Sequence, residues 1–188
     1  MTYSNGKVAG VLIFIAASQC ILGLIVAEAL YPGYSISTNY ISDLGIGPSS
    51  MVFNVSIFLL GLLAIIGVYY LQRAFHRTVV TILFAIAALA AMNVGIFTEN
   101  SEPMHTFASV FVFLFSGLSA ISSYKITKYP FNIIVILLGL TSLVAMILFW
   151  GNIYVGLGVG GMERMIVYPI LIWMIGFGGY LIALPEKA

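Results

Sequence analysis

The chain has 188 residues, of which 62% are hydrophobic and 7% charged, with a formal net charge of +1. A soluble domain carries about 25% charged residues, so this composition excludes a water-clothed globular protein and requires an integral membrane protein, read as one helical domain over residues 1–188. A single cysteine, Cys20, excludes an internal disulfide and a cysteine-based zinc cluster.

A helix needs about 20 apolar residues to cross the hydrocarbon core. Six stretches meet that length: Val8–Ala27, Val52–Leu71, Val79–Thr98, Phe107–Tyr124, Phe131–Trp150 and Met165–Leu184. Backbone polar groups in lipid must pair within the segment, and no stretch shows the alternation of a transmembrane β-strand. The predicted fold is therefore an all-α bundle of six transmembrane helices. Ala27-Glu28-Ala29 has the look of a signal-peptidase site, but Val8–Ala27 is longer than a signal peptide's apolar region, so the first span is expected to stay.

The charges orient the bundle. With six crossings, Lys7, Arg73, Arg77, Lys125, Lys128 and Lys187 fall on one side, and Arg164 alone on the other. Glu28, Asp43, Glu99, Glu102 and Glu163 share the side of Arg164, and Glu186 lies opposite. Basic residues collect on the cytoplasmic face, so both termini are expected inside a plasma membrane, with an acidic face outside.

The inner connections, 72–78 and 125–130, are short and basic, and His76 among them reads as solvated. The first outer connection holds the longest polar stretch, Tyr31–Met51, with three tyrosines, five serines, two prolines and three glycines. Pro32 and Pro48 keep a helix from running through it. It is expected to cap the bundle. Ile36, Ile41, Leu44 and Ile46 would touch the bundle or the membrane, and Tyr31, Tyr34 and Tyr40 would lie at the interface with hydroxyls in water. The second outer connection, Glu99–His105, places Pro103 in the first turn of the fourth helix, with Ser101 or Glu102 near its N-cap. The third, Gly151–Arg164, has five glycines and reads as a flexible hairpin from which Glu163-Arg164 opens the sixth span.

Inside the spans, Gln19, Asn54 and Asn93 are expected to hydrogen-bond between helices. Ala87, Ala91 and Gly95, and Ser116 with Ala120, form small-residue packing seams. Phe53-Asn54 with Leu59-Leu60-Gly61-Leu62 is echoed by Phe131-Asn132 with Leu137-Leu138-Gly139-Leu140, a faint inverted repeat. No charge sits at mid-membrane depth, which counts against a proton-coupled carrier or a channel.

The candidate site gathers on the outer face: Tyr34, Ser42, Asp43, Glu99, His105, Glu163 and Arg164. Arg164 needs a carboxylate or a lipid phosphate for its planar fork. Its neighbour Glu163 points elsewhere on a helix, so Asp43 or Glu99 is the expected partner. His105 and Asp43 are the candidate acid/base groups. One outer histidine without HExxH spacing gives no reason to expect a metal, and no cofactor is implied. Ser35, Ser37 and Ser42 lack a G-x-S-x-G setting for a nucleophile.

Tyr31-Pro32-Gly33-Tyr34-Ser35, Asn39, Ile41-Ser42-Asp43-Leu44-Gly45 and Phe53-Asn54 resemble the first outer motif of a prokaryotic membrane family common in archaea, catalogued as domain of unknown function 998. Gly95-Ile96-Phe97, His105, Gly160-Gly161, Glu163-Arg164 and Trp173 are similar to its later marks. The resemblance implies a six-span bundle with its motif residues on the outer face, and it implies no reaction.

The resulting expectation is a binding or accessory membrane protein. Its outer pocket would hold a lipid headgroup or another small polar ligand. An enzyme acting on lipid or a lipid-linked substrate is the alternative, with Arg164 as a phosphate clamp. Membrane lipids are the expected partners, a protein partner or a second copy is open, and nucleic acid is not expected because membrane orientation accounts for the basic loops.

Overall fold

The computed structural model describes residues 5–185. Among them there is no strand, and six helices are long and apolar enough to cross a membrane: α1 (Asn5–Leu30), α2 (Ser50–Phe75), α3 (Thr78–Ile96), α4 (Met104–Ser122), α5 (Phe131–Trp150) and α6 (Gly158–Ala183). The protein is an all-α membrane bundle. Glu186 and Lys187, counted above with the inner charges, lie outside the described residues.

α1, α2 and α6 each have 26 residues. That is about 39 Å at 1.5 Å per residue, against a hydrocarbon core of about 30 Å. That surplus length, unless taken up by tilt, leaves their ends room to carry polar chemistry. α6 departs most from expectation. It begins at Gly158 and absorbs half of the glycine stretch, so Glu163 and Arg164 lie in its second turn instead of opening it. The remaining connection turns through Gly156 and Gly158 at φ 82° and 75°, a region glycine adopts without a Cβ penalty. At α4 the shift is one residue: Pro103 takes the N-cap position itself, after a 3-10 turn at Glu99–Ser101.

Each helix packs on its chain neighbours and α1 closes on α6, making a ring, with α4 also touching α6. The buried faces are lined with small residues, Ala9, Ala16, Ala17, Ala64, Ala88 and Ala120 among them, while Leu22, Met51 and Ile147 point outward with more than half of each exposed. Small side chains allow the helices to approach closely, while Ile13, Leu71, Phe177 and Leu181 fill the interior between them. At the α1–α6 closure a Cβ on Gly10 would lie 2.7 Å from Gly178 O. The expected seam on α3 is real: Gly95 faces Asn54 O of α2 as closely, at 2.7 Å. Gln19 Nε2 ties α1 to α2 through Ser56 O at 2.9 Å. Asn93 does not bridge helices; it is exposed, and its Nδ2 donates to Leu89 O of its own helix at 2.9 Å. Trp173 is wholly buried, stacked on Phe177 at 5.7 Å, with Nε1 donating to Ser123 Oγ at 3.0 Å.

Because the helices alternate in direction, Lys7, Arg73, Arg77, Lys125 and Lys128 collect at one end of the ring. Glu28, Asp43, Glu99, Glu102, Glu163 and Arg164 collect at the other, here called the acidic end. His76 ends α2 at the basic end, exposed and in a left-handed conformation. The connection from α1 to α2 crosses the acidic end as a strap with 3-10 turns at Ser42–Gly45 and Gly47–Ser49. Ile41 and Leu44 are buried against the bundle, whereas Ile36 is exposed on the outer side of the strap.

Candidate functional site

The strap is gripped by the start of α6. Gly160 N donates to Ser37 O at 3.1 Å, and a Cβ on Gly160 would overlap Asn39 O. Gly160 is therefore a close-approach glycine, which lets two backbones meet. One and two positions beyond Met162, the helix presents two charged side chains in different directions.

Arg164 turns toward α1 and the strap. Its Nη2 donates to Glu28 Oε1 and to the Tyr34 hydroxyl, both at 2.7 Å. Nη1 donates to Ile36 O and Gly160 O, both at 3.0 Å. The guanidinium carbon lies 5.5 Å from the Tyr34 ring centre, a cation–π distance. Arg164 is 4% exposed. The expected partner, Asp43 or Glu99, is thus corrected to Glu28; both terminal nitrogens of Arg164 are engaged within the protein, while its Nε is buried without a hydrogen-bond partner. Tyr34 is partly exposed, and its hydroxyl accepts from Arg164 and donates to Tyr40 O at 2.9 Å. Burial pushes the Tyr34 phenol up to about 12, against the opposing pull of the Arg164 hydrogen bond and charge.

Glu163 turns the other way, into the ring axis. Its Oε2 accepts from Ile41 N at 2.5 Å, and the side chain helps to line a half-open cleft of about 270 Å³. Ser42, Glu99, Glu102, His105, Thr106 and Ser109 supply the rest of its polar wall, and Tyr40, Phe113, Phe149 and Trp150 its apolar one. Ser42 Oγ donates a short hydrogen bond to Glu99 Oε1, and Thr106 Oγ1 donates to Glu102 Oε1 at 2.8 Å.

His105 is 6% exposed and held by its helix register. Its Nδ1 lies 2.8 Å from Phe97 O. A carbonyl can only accept, so Nδ1 carries the proton and neutral His105 is left with Nε2 as an acceptor, 3.5 Å from Ser109 Oγ. Glu99 has its pKa raised, first by burial; the Ser42 hydrogen bond opposes this, and the nearby Asp43 carboxyl adds to it. Tyr40 is raised as well, chiefly by burial.

Of the residues read from the sequence, Ser42, Glu99, His105 and Glu163 come together in the cleft. Asp43 stands behind them: its Oδ2 accepts from Asn39 Nδ2 at 2.8 Å and Tyr40 N at 3.0 Å, which shapes the strap. Tyr34 and Arg164 belong to the grip on the far side of α6. Two participants were missed as a site pair or wall: Glu28, read only as an outer charge, and Ser109, one helical turn after His105. The i, i+4 spacing of His105 and Ser109 was a usable signal; the Glu28–Arg164 pair had none, since it depends on α1 meeting α6. Among the described residues no group of three or more His, Cys, Asp or Glu is placed to hold a metal ion.

The family described as Protein of unknown function (DUF998) matches residues 8–180. The chain belongs to this family. No curated protein and no solved structure matches it. In this DUF998 chain the two stretches that carried the resemblance most specifically, Ile41-Ser42-Asp43-Leu44-Gly45 and Glu163-Arg164, are bonded to each other through Ile41 N and Glu163. Gly160 and His105 have equally definite places, one under the strap and one in the cleft wall.

Proposed function

We propose that this DUF998 protein is a multi-pass plasma-membrane binding protein whose acidic cleft, on the extracytoplasmic face, holds the polar head of a lipid or another small polar ligand. The observation that carries the reading is the wall of the cleft: Glu99, Glu102 and Glu163 converge on it, and no lysine or arginine lines it. A cationic or amine head would be matched there, and a phosphate would be repelled. His105 Nε2, 3.5 Å from Ser109 Oγ, adds a further polar atom to that wall. The extracytoplasmic placement rests on the segregation of charge between the two ends. The test is binding of ethanolamine and of inorganic phosphate to the protein in phosphatidylcholine nanodiscs. Ethanolamine should bind and weaken about tenfold or more, some 1.4 kcal/mol, on Glu99→Gln. Phosphate binding that depends on Arg164 would overturn the reading.

A second reading, a membrane-embedded enzyme acting on lipid or a lipid-linked substrate, is favoured by one observation. Phe97 O fixes the His105 tautomer and leaves Nε2 toward Ser109 Oγ, the geometry of a general base with its second nitrogen oriented. In that case His105→Ala removes turnover of an added phospholipid while leaving insertion and thermal stability close to wild type.

A further inference from the structure

The acidic cleft does not end at its floor. A cavity of about 70 Å³ lies beneath it and shares Ser42, Ser109, Phe113 and Glu163 with it. A third, of about 60 Å³, shares Leu60, Ala91, Val112, Phe113 and Val167 with the second. Phe113 borders all three. The voids are therefore stacked along the axis of the helix ring, and their chemistry changes steadily with depth. Carboxylates and an imidazole line the top; Cys20, Leu24 and Ile57 line the middle; Ala64, Ala87 and Met174 line the bottom, where no lining residue is charged. On α6 the lining runs from Glu163 to Met174, a drop of about 16 Å at 1.5 Å per residue.

Helix interiors normally leave few voids larger than a water molecule. Here Ala64, Ala87, Ala88 and Ala91 turn small side chains toward the axis where larger ones would close it. An apolar void in a membrane bundle is dry unless something apolar enters it, and this one adjoins the middle void, which in turn borders the carboxylate-lined cleft.

We infer that the ligand is a single-chain amphiphile, with a cationic head in the acidic cleft and one unbranched hydrocarbon chain running down the axis past Phe113. The inference rests on the proposed binding role of the cleft and adds the class of molecule. The two lower voids are small, about 70 and 60 Å³, a size that suits one hydrocarbon chain better than the two of a diacyl lipid. Head and chain make separable demands: the carboxylates choose the charge, and the alanine-lined shaft chooses the length.

The test uses the full chain in phosphatidylcholine nanodiscs with a series from ethylamine through butylamine and octylamine to dodecylamine, and with dodecanoate as the anionic counterpart. Affinity should rise at least about tenfold from butylamine to dodecylamine, and dodecanoate should bind far more weakly than dodecylamine. Ala91→Leu, at the junction of the two lower voids, should erase the gain in affinity from butylamine to dodecylamine. Ala64→Leu, which lines only the deepest void, should cap the gain at an intermediate length. Amines that bind equally whatever their length would overturn the shaft and leave the head site standing. No binding by any amine would remove the head site and the inference with it. Equal binding of dodecanoate would overturn the choice of a cationic head. Should Ala91→Leu fail to fold, the wild-type series and Ala64→Leu still decide the matter.

Discussion

Arg164 on α6 and Glu28 on α1 meet at 2.7 Å across 136 residues of sequence. The pair closes the helix ring at the acidic end, where Arg164 also holds the strap by Ile36 O and Tyr34. Truncating one partner of a buried pair leaves the other charge unpaired and costs about 3–5 kcal/mol. Glu28 is partly exposed, so its loss should cost less. We expect Arg164→Ala to lower stability by about 3 kcal/mol, Glu28→Gln by about 1–2 kcal/mol, and the double variant to be scarcely worse than Arg164→Ala. Thermal unfolding in detergent of the four proteins checks this, and an additive double variant would show that the two side chains do not act together.

Gly160 is where the strap and α6 touch through backbone. Gly160→Ala would drive a methyl into Asn39 O and should destabilise by about 1–3 kcal/mol. Gly179, at which a Cβ meets nothing within 4 Å, is the control: Gly179→Ala should be neutral or stabilising by up to about 1 kcal/mol. Limited proteolysis of the strap would read the local effect, with cleavage between 33 and 47 enhanced only in the Gly160 variant.

The tautomer of His105 is open to direct observation. Nitrogen-15 NMR of the neutral ring should show the proton on Nδ1, donated to Phe97 O, and a bare Nε2. Addition of ethanolamine should move the Nε2 resonance more than the Nδ1 resonance, since only Nε2 is left to accept.

The raised pKa of Glu99 has a consequence for pH. A carboxyl whose folded pKa lies above its usual 4.5 favours the protonated form in the fold. Its stabilising contribution is full below about 4.5 and is lost as pH climbs through the raised value. Glu99→Gln should therefore flatten this part of the stability profile and gain relative to wild type at neutral pH. An amine ligand prefers ionised Glu99, so its binding should release protons and strengthen with rising pH over the same interval. Calorimetric titration in two buffers of different ionisation enthalpy measures the released protons, and binding that weakens as pH rises would contradict the arrangement.

The sequence alone determined the class of molecule, the number of helices, their rough bounds, the collection of acidic groups at one end, and the two stretches that carry the family resemblance. These depend on local properties: twenty apolar residues in a row, a proline, a run of charges between spans. Glu163 and Arg164 pointing apart was legible for the same reason, since neighbours on a helix diverge. The tertiary structure decided everything that needs two helices to meet. The ring closure of α1 on α6 gave Arg164 to Glu28 and took it from Asp43, and it divided one apparent cluster into a grip and a cleft. All six spans are apolar over most of their length, and hydropathy alone does not say which helices adjoin. That choice is made by small residues such as Gly10 and Gly178, whose missing side chains matter only once the partner surface is known.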